Sequence, residues 1–349
     1  MVADIRLIAF YLPQYHPITE NDRWWSKGFT EWTNVTKARS LFPGHYQPHL
    51  PADLGYYDLR LPETREAQAD IARAYGIHGF CYYYYWFNGR RLLERPLQEV
   101  LWQKRPDFPF CVCWANENWT RRWDGMDSEV LMPQFHSLAD DLAFIQGLRP
   151  FFEDERYIRV DGKPILLVYR TDLLPDPVRT AELWRETMRK DGIGDIYLVK
   201  VESFGSIGNP ESIGFDASVQ FPPHMAPTSS LRRVRYNDRD LITTFVDYET
   251  YSSFMMDRAE VDFVLHKTAL VSFDNTARKG DEAVVFLNNT PQRYGVWLKA
   301  LVDEAKKKCS PQMQLVFINA WNEWGEGNHL EPDLQYGHQY LEQTKAASM

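Results

Sequence analysis

The chain has little cysteine, and what it has is poorly spaced for metal. Its four cysteines are Cys81, Cys111, Cys113 and Cys309. That number is too small for a disulfide framework. "CVC" at 111–113 is a CxC on one strand face with no matching second pair, so no metal site is expected. Cys81, Cys111 and Cys113 sit in strand-like runs and read as buried thiols. No GxGxxG follows the first apolar run and no GxxxxGK[ST] occurs, which removes both glycine-loop signatures of phosphate binding. No apolar run approaches the roughly 18 residues of a membrane span. The N-terminal "MVADIRLIAFYLPQY" has too short an apolar run for a signal peptide and no small-residue cleavage site. A cytoplasmic setting is expected, or a periplasmic one if a leader was removed. Excess positive charge is missing too. The formal net charge is -9 with Lys and Arg scattered, which disfavours nucleic acid and anionic membranes. "RRVR" at 232–235 is the densest basic cluster and reads as a solvated loop.

Aromatic residues are abundant instead, at 15%, with 12 Trp and 19 Tyr. Many stand in polar company: "RWW", "EWTN", "NENWTRRWDG", "WNEW". An apolar face joined to a polar handle suits a cleft that stacks on something both ring-shaped and polar. With 44% hydrophobic and 25% charged residues, the 349-residue chain is of ordinary globular composition.

Strand-length apolar runs alternate with helical patterns. The runs are 5–11, 78–87, 108–115, 163–170, 195–203, 215–223, 268–276 and 314–321. Helices are expected at "PETREAQADIARAYG", "RRLLERPLQEVLWQK" (interrupted by Pro96), "SLADDLAFIQGLRPFF", "DPVRTAELWRETMRKDG", "TPQRYGVWLKALVDEAKKK" and "QYGHQYLEQTKAAS". Near-continuous apolar strands separated by helices indicate an α/β fold, a single (β/α)8 barrel of the TIM class with long βα loops. It would span 1–349 as one catalytic domain, with a polar loop insertion at about 224–262. An open doubly wound sheet is the alternative, and it lacks its glycine fingerprint.

In such barrels chemistry gathers at the strand C-terminal ends. Nearly every end here releases aromatics, amides or carboxylates: "YLPQYHP", "YYWFNGR", "WANENW", "YRTD", "KVES", "FDNT", "NAWNEWGEG". Such a rim fits a saccharide, whose C–H faces stack on rings and whose hydroxyls bond amides and carboxylates. Glycoside cleavage usually needs one protonated and one ionised carboxyl group. Glu323, flanked by Trp321 and Trp324, and Glu326, flanked by Gly325 and Gly327, are the best-placed pair. For an isolated ExxE, helix N-terminal charge is the usual explanation. The surrounding Trp, Asn and Gly reverse that preference. Glu31, Glu117, Asp124, Asp274 and Glu331 are reserve acids. Candidate sugar-binding residues are Tyr11, Gln14, Tyr15, His16, Trp32, Asn34, His45, Tyr84, Trp86, Trp114, Asn116, Glu117, Trp119, Asn322 and Trp324. Trp114 has core packing as its alternative, Asn322 a loop hydrogen bond. Half of the "YYYY" rings at 82–85 should be core by the period-two rule.

"WNEWGEG…LEP", with "IAFYLPQYHP", "GFTEWTNV", "PGHYQPHLPADLGYYD", "GIHGFCYYYYWF" and "WANENWTRRWDG", resembles the WbsX-type family over about residues 4 to 345. That family carries a glycosyltransferase label in polysaccharide and lipopolysaccharide gene clusters. The "NEW.EG" segment is also similar to glycoside hydrolase family 99, the endo-α-mannosidases. The resemblance implies a (β/α)8 barrel acting on α-mannose-type glycans with retention, without metal or cofactor. It implies that Glu323 deprotonates the sugar's own 2-hydroxyl to form a 1,2-anhydro sugar, and that Glu326 serves as acid and then base. Gly325 stands where the endo-mannosidases typically have His.

A family 99-like retaining hydrolase is therefore the leading expectation. Its rivals are a WbsX-type glycosyltransferase and a non-catalytic glycan-binding barrel. Against the transferase, "DLGYYD" at 53–58 and "DRD" at 238–240 make poor nucleotide-sugar metal motifs. Against the binding barrel, both acids are present. The expected partner is an oligosaccharide or polysaccharide, with no nucleic acid and no integral membrane contact; the sequence does not set the oligomeric state.

Overall fold

The computed structural model describes residues 5–121, 126–225, 232–233 and 243–349. Asp124, the "DRD" triplet and half of "RRVR" lie outside the described residues.

The eight expected strands form: β1 (Arg6–Tyr11), β2 (Ile77–Phe87), β3 (Phe110–Trp114), β4 (Lys163–Val168), β5 (Tyr197–Glu202), β6 (Ala217–Gln220), β7 (Leu265–Leu270) and β8 (Leu315–Asn319). Each pairs in parallel with the next, and β8 pairs with β1, so the sheet closes. The molecule is a (β/α)8 barrel. Closure leaves no barrel strand with a free edge and buries the runs on both faces. All five residues of β3 and all five of β8 are buried.

The barrel interior is filled with rings near its upper end. Phe10 of β1 packs on Tyr83 of β2, Phe317 of β8 and Phe221 beyond β6, at centroid distances of 5.9, 5.6 and 5.1 Å. Strands on opposite sides meet here, so the barrel is a packed core whose top becomes the floor of a site.

The surrounding helices start where their sequences provide caps. Ser137 accepts from the Asp140 N–H ahead of α5 (Leu138–Phe152), and Asp176 from Arg179 ahead of α6 (Pro177–Lys190). Thr290 accepts from Arg293 ahead of α9 (Pro291–Lys308). Each satisfies an N–H that the first turn leaves unbonded. α3 (Pro62–Ala74) opens on proline, whose missing N–H costs nothing there. The chain closes with α10 (Gln339–Ser348). Among the described residues no helix is long and apolar enough to cross a membrane.

Four expectations need correction. Pro96 does not interrupt a helix; it lies in the first turn of α4 (Arg95–Gln103), and Arg90–Leu92 folds back on β2 as an antiparallel strand. β7 ends at Leu270 and not at 276; the Val271 N–H still bonds Asn319 of β8 at 2.9 Å, and by Asp274 the chain has turned to the Glu326 carbonyl at 2.6 Å. The long loop after β1 contains two short helices, α1 (Thr19–Trp24) and α2 (Glu31–Lys37). The insertion also holds a strand, Thr244–Asp247, and a helix, α7 (Tyr248–Met256). Tyr248, Tyr251 and Met255 recur at helical spacing and are buried, which overrides the segment's polar composition.

Candidate active site

β8 runs out into a very small hairpin. Asn322 and Glu323 pair antiparallel with Asn328 and His329 around a one-turn helix, Trp324–Glu326. Gly327 closes that turn with φ +56°, a conformation costly for other residues. The hairpin is tied to the exit of β1. Asn322 Oδ1 accepts from the Leu12 N–H at 2.7 Å, and its Nδ2 donates to the Leu12 carbonyl at 3.0 Å. The Tyr15 hydroxyl donates to the Asn322 carbonyl at 2.6 Å and accepts from the Trp324 N–H at 3.2 Å. Backbone on both sides of Glu323 is thereby held.

Both glutamates line a cavity of about 510 Å³ at the strand C-terminal end. They meet there on one side chain. Arg278, from the short helix α8 (Thr276–Lys279), donates Nη2–H to Glu323 at 2.8 Å and Nη1–H to Glu326 at 2.5 Å. Its Nε–H goes to Glu31 of α2 at 2.7 Å. The guanidinium thus sits among three carboxylates from three separate elements. The Glu31 side chain is fully buried, Glu323 is 8% exposed and Glu326 27%. Glu326 is the group that solvent and ligand reach most readily.

Burial pushes the Glu323 carboxyl up to about 8; Arg278 opposes that rise, and the charges of Glu326 and Glu31 add to it. Glu326 is raised as well, first by burial and then by Glu31, against the pull of Arg278. Burial would lower the Arg278 value, but its carboxylates outweigh that and hold it charged. Two raised carboxyls on one cation retain a proton between them near neutral pH.

Aromatic side chains form the rest of the wall. Trp24, Tyr85 and Trp119 cluster on one part, with Trp119 4.9 Å from Tyr85 and 5.8 Å from Trp24. Tyr169, Phe204, Phe221 and His224 make another cluster. Tyr83 and Asn319 also face the cavity.

Among the sequence candidates, Gln14, Glu117 and Trp119 line this cavity with Glu323 and Glu326. The others do not. Tyr84 is corrected to the outer face of β2, packing on Phe144 and under Arg91, while Tyr83 and Tyr85 line the cavity. Trp86 donates to Asp140 at 2.9 Å, and Trp114 stacks on Phe144 at 4.1 Å; both are helix–strand core. Asn116 bonds both backbone groups of Arg170. Tyr11 donates to Gln68, and His16 is buried with Nδ1 against the Pro13 carbonyl. Asn34 donates to Glu31 at 3.4 Å. Trp32 packs between Tyr15 and Trp324 and donates to the Tyr57 carbonyl. Asn322 is the loop hydrogen-bonder described above. Trp324 stacks on His329 at 3.7 Å and donates to Glu331 at 2.6 Å. Of these residues, Trp32, Asn322 and Trp324 brace the glutamate hairpin from behind.

The reserve acids separate in the same way. Glu31 belongs to the arginine cluster. Glu331 is buried beneath the hairpin, accepting from Trp324, Gln68 and Tyr57, and burial pushes it up to about 7. Asp274 pairs with His45 at 2.6 Å, bordering a second pocket of about 260 Å³. In that pocket His49, His329 and Asp333 place possible metal-ligand atoms within 4.8 Å of one another. The nearest of those atoms, His49 Nδ1 and His329 Nε2, already hydrogen bond to each other at 2.8 Å. Arg278 is the charged residue that sequence reasoning missed, along with the wall residues Trp24, Tyr83, Tyr85, Tyr169, Phe204 and Phe221. "TARK" carries no motif, and only its place just beyond β7 hinted at the site.

Fold and site together define a (β/α)8 barrel with paired carboxyl groups on the wall of an aromatic cleft at its strand ends. A model of the family described as Glycosyltransferase WbsX matches residues 7–344, and the chain belongs to that family. Proteins named WxcX from two strains of Xanthomonas campestris pv. campestris are 46% identical over 342 residues. The match takes in 98% of this chain and 49% of each relative, so the chain spans about half the length of the curated relatives it matches. In fold it is similar to the family 99 endo-α-mannosidase of Bacteroides thetaiotaomicron, with TM-score 0.61, 14% identity, and coverage of 98% of this chain and 96% of that one. A glycoside hydrolase-like protein gives TM-score 0.62 at 14% identity, covering 99% and 95%.

Proposed function

We propose that the protein is a retaining glycoside hydrolase acting on α-mannose-type or related polysaccharide linkages, with Glu323 and Glu326 as its catalytic pair. The observation that carries this reading is the meeting of both carboxyls on Arg278 at the wall of the aromatic cavity. In the first step Glu323 takes the proton of the sugar 2-hydroxyl. O2 attacks C1, the C1–O bond to the leaving group breaks, and Glu326 gives its proton to the departing oxygen. In the second step Glu326 takes a proton from water as the water oxygen attacks C1. The C1–O2 bond breaks and O2 recovers its proton from Glu323. Two inversions give net retention, and both carboxyls return to their starting states.

The raised value of Glu323 supports its role, because a stronger base takes a hydroxyl proton more readily. Both carboxyls are raised, and the productive arrangement has the pair's proton on Glu326 and Glu323 ionised. Glu326's greater exposure suits a group that meets both a leaving oxygen and water. Tyr85 and Trp119 would stack on the sugar faces.

The family's description favours a second reading, transfer of a glycosyl group during polysaccharide assembly. One panel tests both. The protein is incubated with α-mannan oligosaccharides and bacterial surface polysaccharides, with and without nucleotide sugars. Sugar release without any nucleotide, with the α-anomer formed first, is the expected result. Turnover that requires a nucleotide sugar overturns the hydrolase and leaves the transferase.

A further inference from the structure

We propose that Arg278, anchored by Glu31, is a positioning residue that holds Glu323 and Glu326 together and decides how the two share a proton. The inference rests on the reading of that pair as catalytic.

The geometry is specific. Arg278 uses Nε, Nη1 and Nη2 on three different carboxylates, at 2.7, 2.5 and 2.8 Å. Lysine has a single nitrogen and no fixed fork, so it cannot reproduce this. Of the three acids Glu31 is the one with no exposed surface. Glu31 stands in the first turn of α2, and its backbone N–H donates to the Gln14 carbonyl at 3.0 Å. Gly325 closes over it so tightly that any β-carbon there would stand 1.9 Å from Glu31 Oε1. Glu31 therefore cannot follow ligand into the cavity. Its task is to fix the guanidinium so that the other two nitrogens aim at the catalytic pair.

The charges facing the pair come from every packed element. α8 brings Arg278 and α2 brings Glu31. The β1 exit and β2 bring the neutral hydroxyls of Tyr15, Tyr83 and Tyr85, whose ionisation burial and the nearby carboxylates oppose. Glu117 and Lys279 also line the cavity; among the described residues, Arg278 and Glu31 are the charges that act on both members of the pair, with opposite sign. Removing each must push the pair's last proton in opposite directions. Loss of Glu31's negative charge eases ionisation; loss of Arg278's positive charge hinders it. A merely structural role predicts loosened packing and no such opposition.

The test uses the whole chain in four forms: wild type, Glu31→Gln, Arg278→Gln and Arg278→Lys. Carboxyl titration is read without substrate by carbon-13 NMR of protein labelled at the glutamate carboxyls, assigned through Glu323→Gln and Glu326→Gln. The pH profile of kcat/KM on a cleaved oligosaccharide is read beside it. Glu31→Gln should lower the last titration by about one pH unit, and Arg278→Gln should raise it by about one or more. Arg278→Lys keeps the charge, so its titration should stay near wild type while kcat falls at least tenfold through lost aim. Glu31→Gln is isosteric, and a thermal melt of each variant verifies folding. Should Arg278→Gln fail to fold, the test rests on Glu31→Gln, whose titration must fall, and on Arg278→Lys, whose titration must stay while its kcat drops; any other pattern overturns the proposal. Shifts that are absent, or of one sign in both charge-removing variants, overturn the proposal even if hydrolysis is intact. Opposed shifts without hydrolysis of any glycan overturn the proposed function and leave the positioning role standing.

Discussion

Gly325 lies so close to Glu31 that a β-carbon built on it would stand 1.9 Å from Glu31 Oε1 and 2.9 Å from Arg278 Nε. Its φ is not in the left-handed region, so close approach and not backbone freedom requires glycine there. A side chain at 325 displaces the carboxylate that anchors Arg278. Gly325→Ala is expected to lose about 1–3 kcal/mol of stability by overpacking, seen as a lower urea midpoint. Its kcat/KM should fall further than Gly327→Asn lowers it, since a β-carbon at 327 stands 3.1 Å from its nearest neighbours, not 1.9 Å, and asparagine tolerates positive φ. An unchanged midpoint in Gly325→Ala contradicts this account of the hub.

Removing either carboxyl of the pair should stop chemistry before it stops binding. Glu326→Gln and Glu323→Gln are each expected to lower kcat on unactivated substrates about 10²–10⁴-fold, the usual worth of a positioned acid or base. Oligosaccharide affinity, measured by calorimetry, should change little. A variant that keeps wild-type kcat removes its residue from the mechanism.

The rate should depend on pH as a bell. A pair that works with one proton loses activity when both groups are protonated and again when both are ionised. Glu323 is pushed up to about 8 and Glu326 is also raised. The alkaline limb of kcat/KM is therefore expected near pH 8, and the acid limb above the ordinary glutamate range of about 4.3. A profile that stays flat from pH 5 to 9 shows that the pair does not titrate in the reaction.

Glu331 should register in stability and not in chemistry. Its folded value is raised to about 7, so its contribution is full below the ordinary glutamate range and is lost as pH rises through 7. Urea unfolding of wild type and Glu331→Gln at pH 5 and pH 8 isolates the term. The stability advantage of wild type over the variant should shrink at the higher pH. An advantage that grows with pH reverses the sign and removes the assignment.

Trp119 packs edge-on to Tyr85 and Phe87 while lining the cavity, which gives it a rigid face for a ligand. Trp119→Ala should weaken oligosaccharide binding on the order of tenfold, about 1.4 kcal/mol, with KM rising more than kcat falls. Equal affinity for a panel of oligosaccharides in the variant places the sugar elsewhere in the cleft.

Much of the architecture was legible in the chain. The β3 and β8 runs are continuously apolar because parallel barrel strands are buried on both faces, and proline, serine, aspartate and threonine mark helix starts by local hydrogen-bond chemistry. Glu323 and Glu326 were findable because they are neighbours in sequence at the end of the last strand. The "YYYY" segment shows where legibility stops. Alternation says that its rings take turns, but the phase is set by how β2 registers with β1 and β3, and that puts Tyr83 and Tyr85 in the cleft and Tyr84 outside. Trp86 and Trp114 carry the same composition signal as Trp119, yet they pack beneath helices.

The sequence by itself determined the order of the eight barrel strands and most of the helices between them, the position of the two acids and the aromatic surplus, because periodicity, capping and turns act over a few residues. Only the tertiary structure decided which rings face the cavity and which side chain joins the acids. Glu31 is 247 positions from Arg278 along the chain, and Arg278 is 45 from Glu323. They meet because closing the sheet brings the exits of its first, seventh and eighth strands to one rim.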